Sequence, residues 1–209
     1  MPLQNRVDPA GNILRDPARG MFMGNRGGPL HDAAQQIVRK QKSQAWITCL
    51  TGFKNRRRTL MHPGRYTELF FLDEATALAA GHRPCFECRR RDALAFSETL
   101  ARSQGVVKLK APQIDALVAR DRAVPPDDES RRIEAGQIKE LPDGVMIRRD
   151  STYLLVLDGR LRPWSFSGYG PEATNVRVTG QTFHLVTPGV TIAAIRQGYR
   201  PILHPSATD

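Results

Sequence analysis

The chain has 209 residues, 40% of them apolar and 25% charged, the composition of a globular protein of one domain or two small ones. Its longest apolar runs, 46–50, 69–72 and 153–157, fall far short of the ~20 residues that cross a bilayer, which excludes a transmembrane helix. Three cysteines are too few for a disulfide scaffold, and residues 1–20 are polar with no secretory core, so a cytoplasmic location is expected.

The net charge is +10, and it is unevenly spread. Between Arg39 and Arg91 twelve basic residues stand against Glu68, Asp73, Glu74 and Glu87. With a calculated pI of 10.1, this favours a polyanionic partner, nucleic acid before an anionic membrane surface.

In chain order, residues 1–22 are rich in Pro and Gly with little periodicity and read as an arm, disordered or laid over the surface. Gly24-Asn25-Arg26-Gly27-Gly28-Pro29 lacks the Lys-Ser/Thr ending of a phosphate loop and reads as a turn. Residues 45–50 and 68–72 are bulky and β-prone, predicting two strands joined by a basic loop. A short helix follows, with Asp73 as N-cap, Glu74 at the positive end of the dipole, and Gly81 where a left-handed residue is wanted. A second helix is expected from about Arg91 to Ser103, and a third from Pro112 with Ile114, Leu117 and Val118 on one face. The segment 124–128 is the best boundary, dividing a region 23–124 from a β-rich region 125–209. There, 145–148, 152–157, 161–166 and 183–186 read as strands, with Asp158-Gly159 as a hairpin turn and a helix opening at Thr187-Pro188. The fold class expected is α+β.

Cys85-Phe86-Glu87-Cys88 is the place where residue type and spacing point to chemistry. Two thiolates two residues apart can bind one zinc ion at ~2.3 Å each. The pair also suits a redox couple, its thiols acidified by Arg83 and Arg89 to Arg91, or two unrelated thiols. Part of the deaminase pattern is present in Pro84-Cys85-x-x-Cys88, but no His is followed two residues later by Glu. No HExxH, GxSxG or Walker loop occurs, and no catalytic residue can be assigned.

The order Phe70-Phe71, Glu74-Ala75-Thr76-Ala77-Leu78-Ala79-Ala80-Gly81 and Arg83-Pro84-Cys85-x-x-Cys88 resembles the metal-binding domain of the Ada-type DNA alkylation-repair proteins, over about residues 46–91. The resemblance implies a zinc module that binds DNA, with four cysteine ligands, one of which accepts a methyl group from a backbone phosphotriester. By the family's spacing the first cysteine pair falls near Lys54 and Arg58, so this chain has no counterpart of the methyl acceptor. Cys49 is then expected as the third ligand and His62, in the loop that carries the family's first pair, as the fourth, ahead of His82 and His31. Lys54, Arg56, Arg57, Arg58, Arg83, Arg89, Arg90 and Arg91 would flank the site as a phosphate-binding face. Trp46, Tyr66, Phe86 and Trp164 are candidates for stacking on bases, Phe86 first.

The reading is a zinc- and nucleic-acid-binding α+β protein, DNA being the expected partner, with an Ada-like module followed by helices and a hairpin-rich C-terminal unit. The alternatives are a zinc-dependent enzyme acting on nucleic acid and a metal-free scaffold that binds a partner.

Overall fold

A computed structural model describes residues 1–56, 59–173 and 182–208. Among them the bulky segments of the N-terminal half pair into one mixed sheet. Its strands are β1 (Gln4–Val7), β2 (Ile13–Arg15), β3 (Phe22–Asn25), β4 (Ile47–Leu50), β5 (Leu69–Phe71) and β6 (Arg83–Pro84). They lie in the order β2-β1-β5-β3-β4-β6. β1 runs parallel to β5 and β4 parallel to β6, while β3 is antiparallel to both β4 and β5.

Residues 1–22 are therefore an integral edge of this sheet rather than a loose arm. Asp8 closes the β1–β2 turn by accepting hydrogen bonds from the backbone and side-chain amides of Asn12, both at 2.9 Å. Asn5 and Val7 have no exposed surface. The glycine-rich segment 24–29 also begins inside a strand. A Cβ on Gly24 would stand 2.3 Å from the carbonyl oxygen of Ile47, so glycine is what lets β3 approach β4 here.

The C-terminal half supplies a second, antiparallel sheet from β7 (Arg132–Glu134), β8 (Met146–Arg149), β9 (Thr152–Leu157), β10 (Arg160–Ser165), β11 (Gly168–Tyr169) and β12 (Thr182–Leu185). The order is β11-β10-β9-β8-β12-β7. Asp158 and Gly159, with φ of +52° and +67°, make the two-residue turn between β9 and β10. The class is thus α+β.

Helices α1 (Glu74–Ala79), α2 (Arg90–Ser103), α3 (Ala111–Arg122) and α4 (Gly189–Arg196) join the two sheets. All six residues of α1 are buried. Its alanines make this feasible: Ala77 and Ala80 just beyond it pack on the first sheet, while Ala75 and Ala79 pack on Met146 and Leu155 of the second. Phe96 and Leu100 of α2, Ile114 and Val118 of α3 and Ile192 and Ile195 of α4 share one core with Ile147, Leu154 and Phe183. That core draws on both sides of residue 124, so the expected boundary is a surface connection within a continuous interior.

The start of α1 is fixed by two buried carboxylates. Asp73 caps the helix through the amide of Thr76 (2.9 Å), and also accepts from the Tyr169 hydroxyl (2.9 Å) and the His204 amide (3.0 Å). Glu74 accepts from the Tyr199 hydroxyl (2.6 Å), the Ile202 amide (3.0 Å) and Arg89 (2.7 Å). The C-terminal segment is thereby tied to the residue that follows Cys88.

Candidate metal centre and its surround

The parallel β4–β6 pair builds the site. The Cys85 amide donates to the carbonyl of Thr48 (2.9 Å), which holds the residue after β6 alongside Cys49, the third residue of β4. The chain then turns tightly through 85–88, with the Arg89 amide donating to the Cys85 carbonyl at 3.0 Å, and enters α2. The sulfurs of Cys49, Cys85 and Cys88 all lie within 4.8 Å of one another. Cys49 and Cys85 are buried and Cys88 is half-buried, so Cys88 is the most solvent-accessible of the three. Met23, Ile47, Tyr66 and Phe70 enclose it.

The electrostatics favour a thiolate at Cys85 alone of the three. The Glu87 amide donates to the Cys85 sulfur at 3.4 Å. The Cys85 thiol is pulled down to about 5, first by the hydrogen bond from the Cys49 thiol and further by the amides of Cys88 and Glu87, with burial opposing. Cys49 is pushed well up by that same hydrogen bond and by burial, and Cys88 is raised chiefly by burial. Three soft sulfurs cannot all ionise together without a cation between them. Zinc at ~2.3 Å from each would set tetrahedral sulfur separations of about 3.8 Å, which the observed cluster accommodates. The donor set fits zinc.

His62 is not one of the clustered donors. Its side chain is exposed, with Nδ1 at 2.8 Å from the carbonyl oxygen of Pro63. His31 and His82 are committed elsewhere. His31 is buried, its Nδ1 hydrogen-bonded with the Thr67 hydroxyl at 2.6 Å and its Nε2 facing the His62 carbonyl at 3.3 Å. His82 lies between the rings of Trp46 and Phe71, centroids 5.0 and 4.6 Å away, and accepts from Arg26 at 3.3 Å. Burial, with the charges of Arg26 and Arg122, holds its pKa well below 6.5.

The basic residues divide in two. Lys54, Arg90 and Arg91 are exposed, and exposed Arg56 pairs with Glu87 at 2.6 Å. Arg65, beside Tyr66, adds a further exposed charge. Arg83 and Arg89, expected on the same face, are interior instead. Arg83 forms a two-pronged ion pair with Asp115 at 2.9 and 3.0 Å. Arg89 is 3% exposed, bonded to Glu74 and to Asp92 (2.8 Å) and stacked 4.4 Å over Phe22. Arg57 and Arg58 lie outside the described residues.

Three of the four proposed aromatic stackers are also occupied. Trp46 carries a guanidinium on each of two contacts at 3.7 Å, Arg26 and Arg122. The Trp164 indole donates to the Thr76 hydroxyl at 3.0 Å, and half-buried Phe86 packs on the main core beneath Arg83. Among the described residues no helix is long and apolar enough to cross a membrane.

Comparison of the chain with protein-family models, with curated proteins and with solved structures finds no match in any of the three.

Proposed function

We propose that this protein binds one zinc ion through Cys49, Cys85 and Cys88, and that the surface around that site holds nucleic acid, DNA in the first instance. The observation that carries the reading is the meeting of the chain's three cysteines within 4.8 Å at the end of the β4–β6 pair. Supporting it are the exposed cations Lys54, Arg65, Arg90 and Arg91 on the segments that flank the trio. The likeness of residues 46–91 to the Ada-type metal-binding domain is part of the same proposal, with the methyl-accepting cysteine absent. Thiols kept reduced for metal suit the cytoplasm.

Zinc in this site would keep the sulfurs as thiolates and present a Lewis-acidic position to water or a phosphate oxygen. Among the described residues the cluster counts three donors, which favours a second reading: an open fourth position and zinc-assisted chemistry on nucleic acid.

The test is duplex DNA binding by fluorescence anisotropy across a salt series, with zinc content measured on the same samples. The zinc-loaded protein should bind with affinity that falls steeply with salt. Arg90→Ala with Arg91→Ala should weaken binding and reduce the slope by roughly 1 per lost phosphate contact. Zinc-loaded protein that ignores DNA at low salt would overturn the nucleic-acid part and leave the metal part standing.

A further inference from the structure

A cleft of about 990 Å³ opens at the other end of the β4–β6 pair, between the two sheets. Trp46, just before β4, and Arg122, at the end of α3, line it, with Lys40 at its lip. Beneath Trp46 lies Arg26, 1% exposed, whose guanidinium donates to His82, to the Lys40 carbonyl (3.2 Å) and to the Gly11 carbonyl (2.8 Å). All three acceptors are neutral. Arg122 donates to the Gly81 carbonyl at 2.9 Å.

Neither guanidinium forms an ion pair among the described residues; Asp8 and Asp115, whose charges reach them, have other hydrogen-bond partners, and Asp150 stands elsewhere in the lining. Asp8 is held by Asn12 and the Tyr153 hydroxyl. Asp115 is held by both prongs of Arg83. The other cleft arginines do have partners, Arg131 with Asp121 at 3.6 Å and Arg148 with Asp127. The cleft therefore has half-buried Arg122 in its lining, with buried Arg26 behind the same indole, and neither guanidinium has a carboxylate in direct contact among the described residues. Burial lowers Arg26 to about 9, with the charge of Arg122 adding and that of Asp8 opposing, and lowers Arg122 to about 10 against the charge of Asp115. Such an arrangement is costly unless an anion completes it.

We propose that this cleft binds a small phosphate monoester, its phosphate on Arg122 and Lys40 and its organic body against the apolar part of the lining. The volume is far larger than a phosphate ion fills, and it lies at the upper end of small-molecule sites. Ala79, Ala119, Ala123 and Val186 give the lining an apolar part, beside polar Gln41, Gln44 and Asp150. This site is separate from the cysteine trio and does not depend on its metal.

Adenosine 5′-monophosphate, adenosine and inorganic phosphate serve as probes in calorimetric titration and thermal melting of the full chain. Adenosine monophosphate should bind one per chain and raise the melting temperature, with inorganic phosphate weaker and adenosine inert. Arg122→Gln should weaken the monophosphate about tenfold by removing a charge-assisted contact. Lys40→Ala, on the exposed lip, should weaken it by a smaller factor without touching the fold, and it decides the matter if Arg122→Gln fails to fold. No binding of either phosphate at millimolar concentration would overturn the proposal. So would binding that Lys40→Ala and a folded Arg122→Gln leave unchanged, or equal binding of adenosine.

Discussion

Replacing Arg89 with Met removes a charge from the interior while leaving most of the side-chain volume in place. Its partner Glu74 has no exposed surface, and Arg89 itself is 3% exposed, so the carboxylate cannot turn to water when the guanidinium goes. Tyr199 and Ile202 would still donate to Glu74, but neither brings positive charge. Breaking one side of a buried pair costs about 3–5 kcal/mol. For a chain of this size each kcal/mol lowers the melting temperature by roughly 2–4 °C, so the expected fall is about 6–20 °C. Urea denaturation at neutral pH, followed by circular dichroism, measures the loss directly. Adding Glu74→Gln to Arg89→Met should recover part of it, because the double variant no longer buries an unpaired charge, and the coupling should exceed about 1 kcal/mol. A loss below about 1 kcal/mol with no coupling is the size expected of an exposed pair, and would refute the interior placement of Arg89.

Other perturbations test separate parts of the account. Gly24→Ala should destabilise by about 1–3 kcal/mol or more, since its Cβ would meet the Ile47 carbonyl oxygen at 2.3 Å; an unchanged urea midpoint would contradict the β3–β4 packing. His82 is depressed well below 6.5 in the fold by burial, so the unfolded chain takes up its proton first. Stability present above about pH 6.5 should fall as pH drops, by up to about 1.4 kcal/mol per unit until the folded pKa is reached. His82→Gln should flatten that slope between pH 6.5 and 5, and an identical slope in the variant would count against a neutral, buried His82. Cys88→Ser should lose the zinc and loosen the entry to α2, read as faster amide exchange over residues 85–92; full zinc content would remove Cys88 from the ligand set.

Much of the local structure was legible because its signals are local. Asp73, Thr76 and Gly81 sit within a dozen residues of each other, and cap, helix and left-handed stop all occur where the pattern puts them. The same holds for the Asp158-Gly159 turn. The N-terminal edge was not legible. β1 and β2 are short and partly polar, and the pairing of β1 with β5, far along the chain, decides their state. Gly24 misled for a related reason: a glycine chosen for close strand approach looks the same in sequence as one chosen for a turn.

The cysteine site was partly readable. Cys85 and Cys88 announce themselves by spacing, and Cys49 follows once β4 and β6 lie side by side. The basic face was over-read, because a guanidinium is assigned to the surface by default. Asp115 and Glu74, the partners that draw Arg83 and Arg89 inward, stand 32 and 15 residues away. The cleft over Trp46 left no motif at all. Arg26, Lys40 and Arg122 come from three segments that only the tertiary fold assembles.

The most direct test of the central claim is the zinc content of protein purified without chelator or histidine tag, measured by elemental analysis together with thiol titration, for the wild type and Cys49→Ser. The account predicts one zinc per wild-type chain, with the thiols protected until a chelator is added, and loss of both properties in Cys49→Ser. A metal-free wild type with all three thiols freely reactive would contradict it.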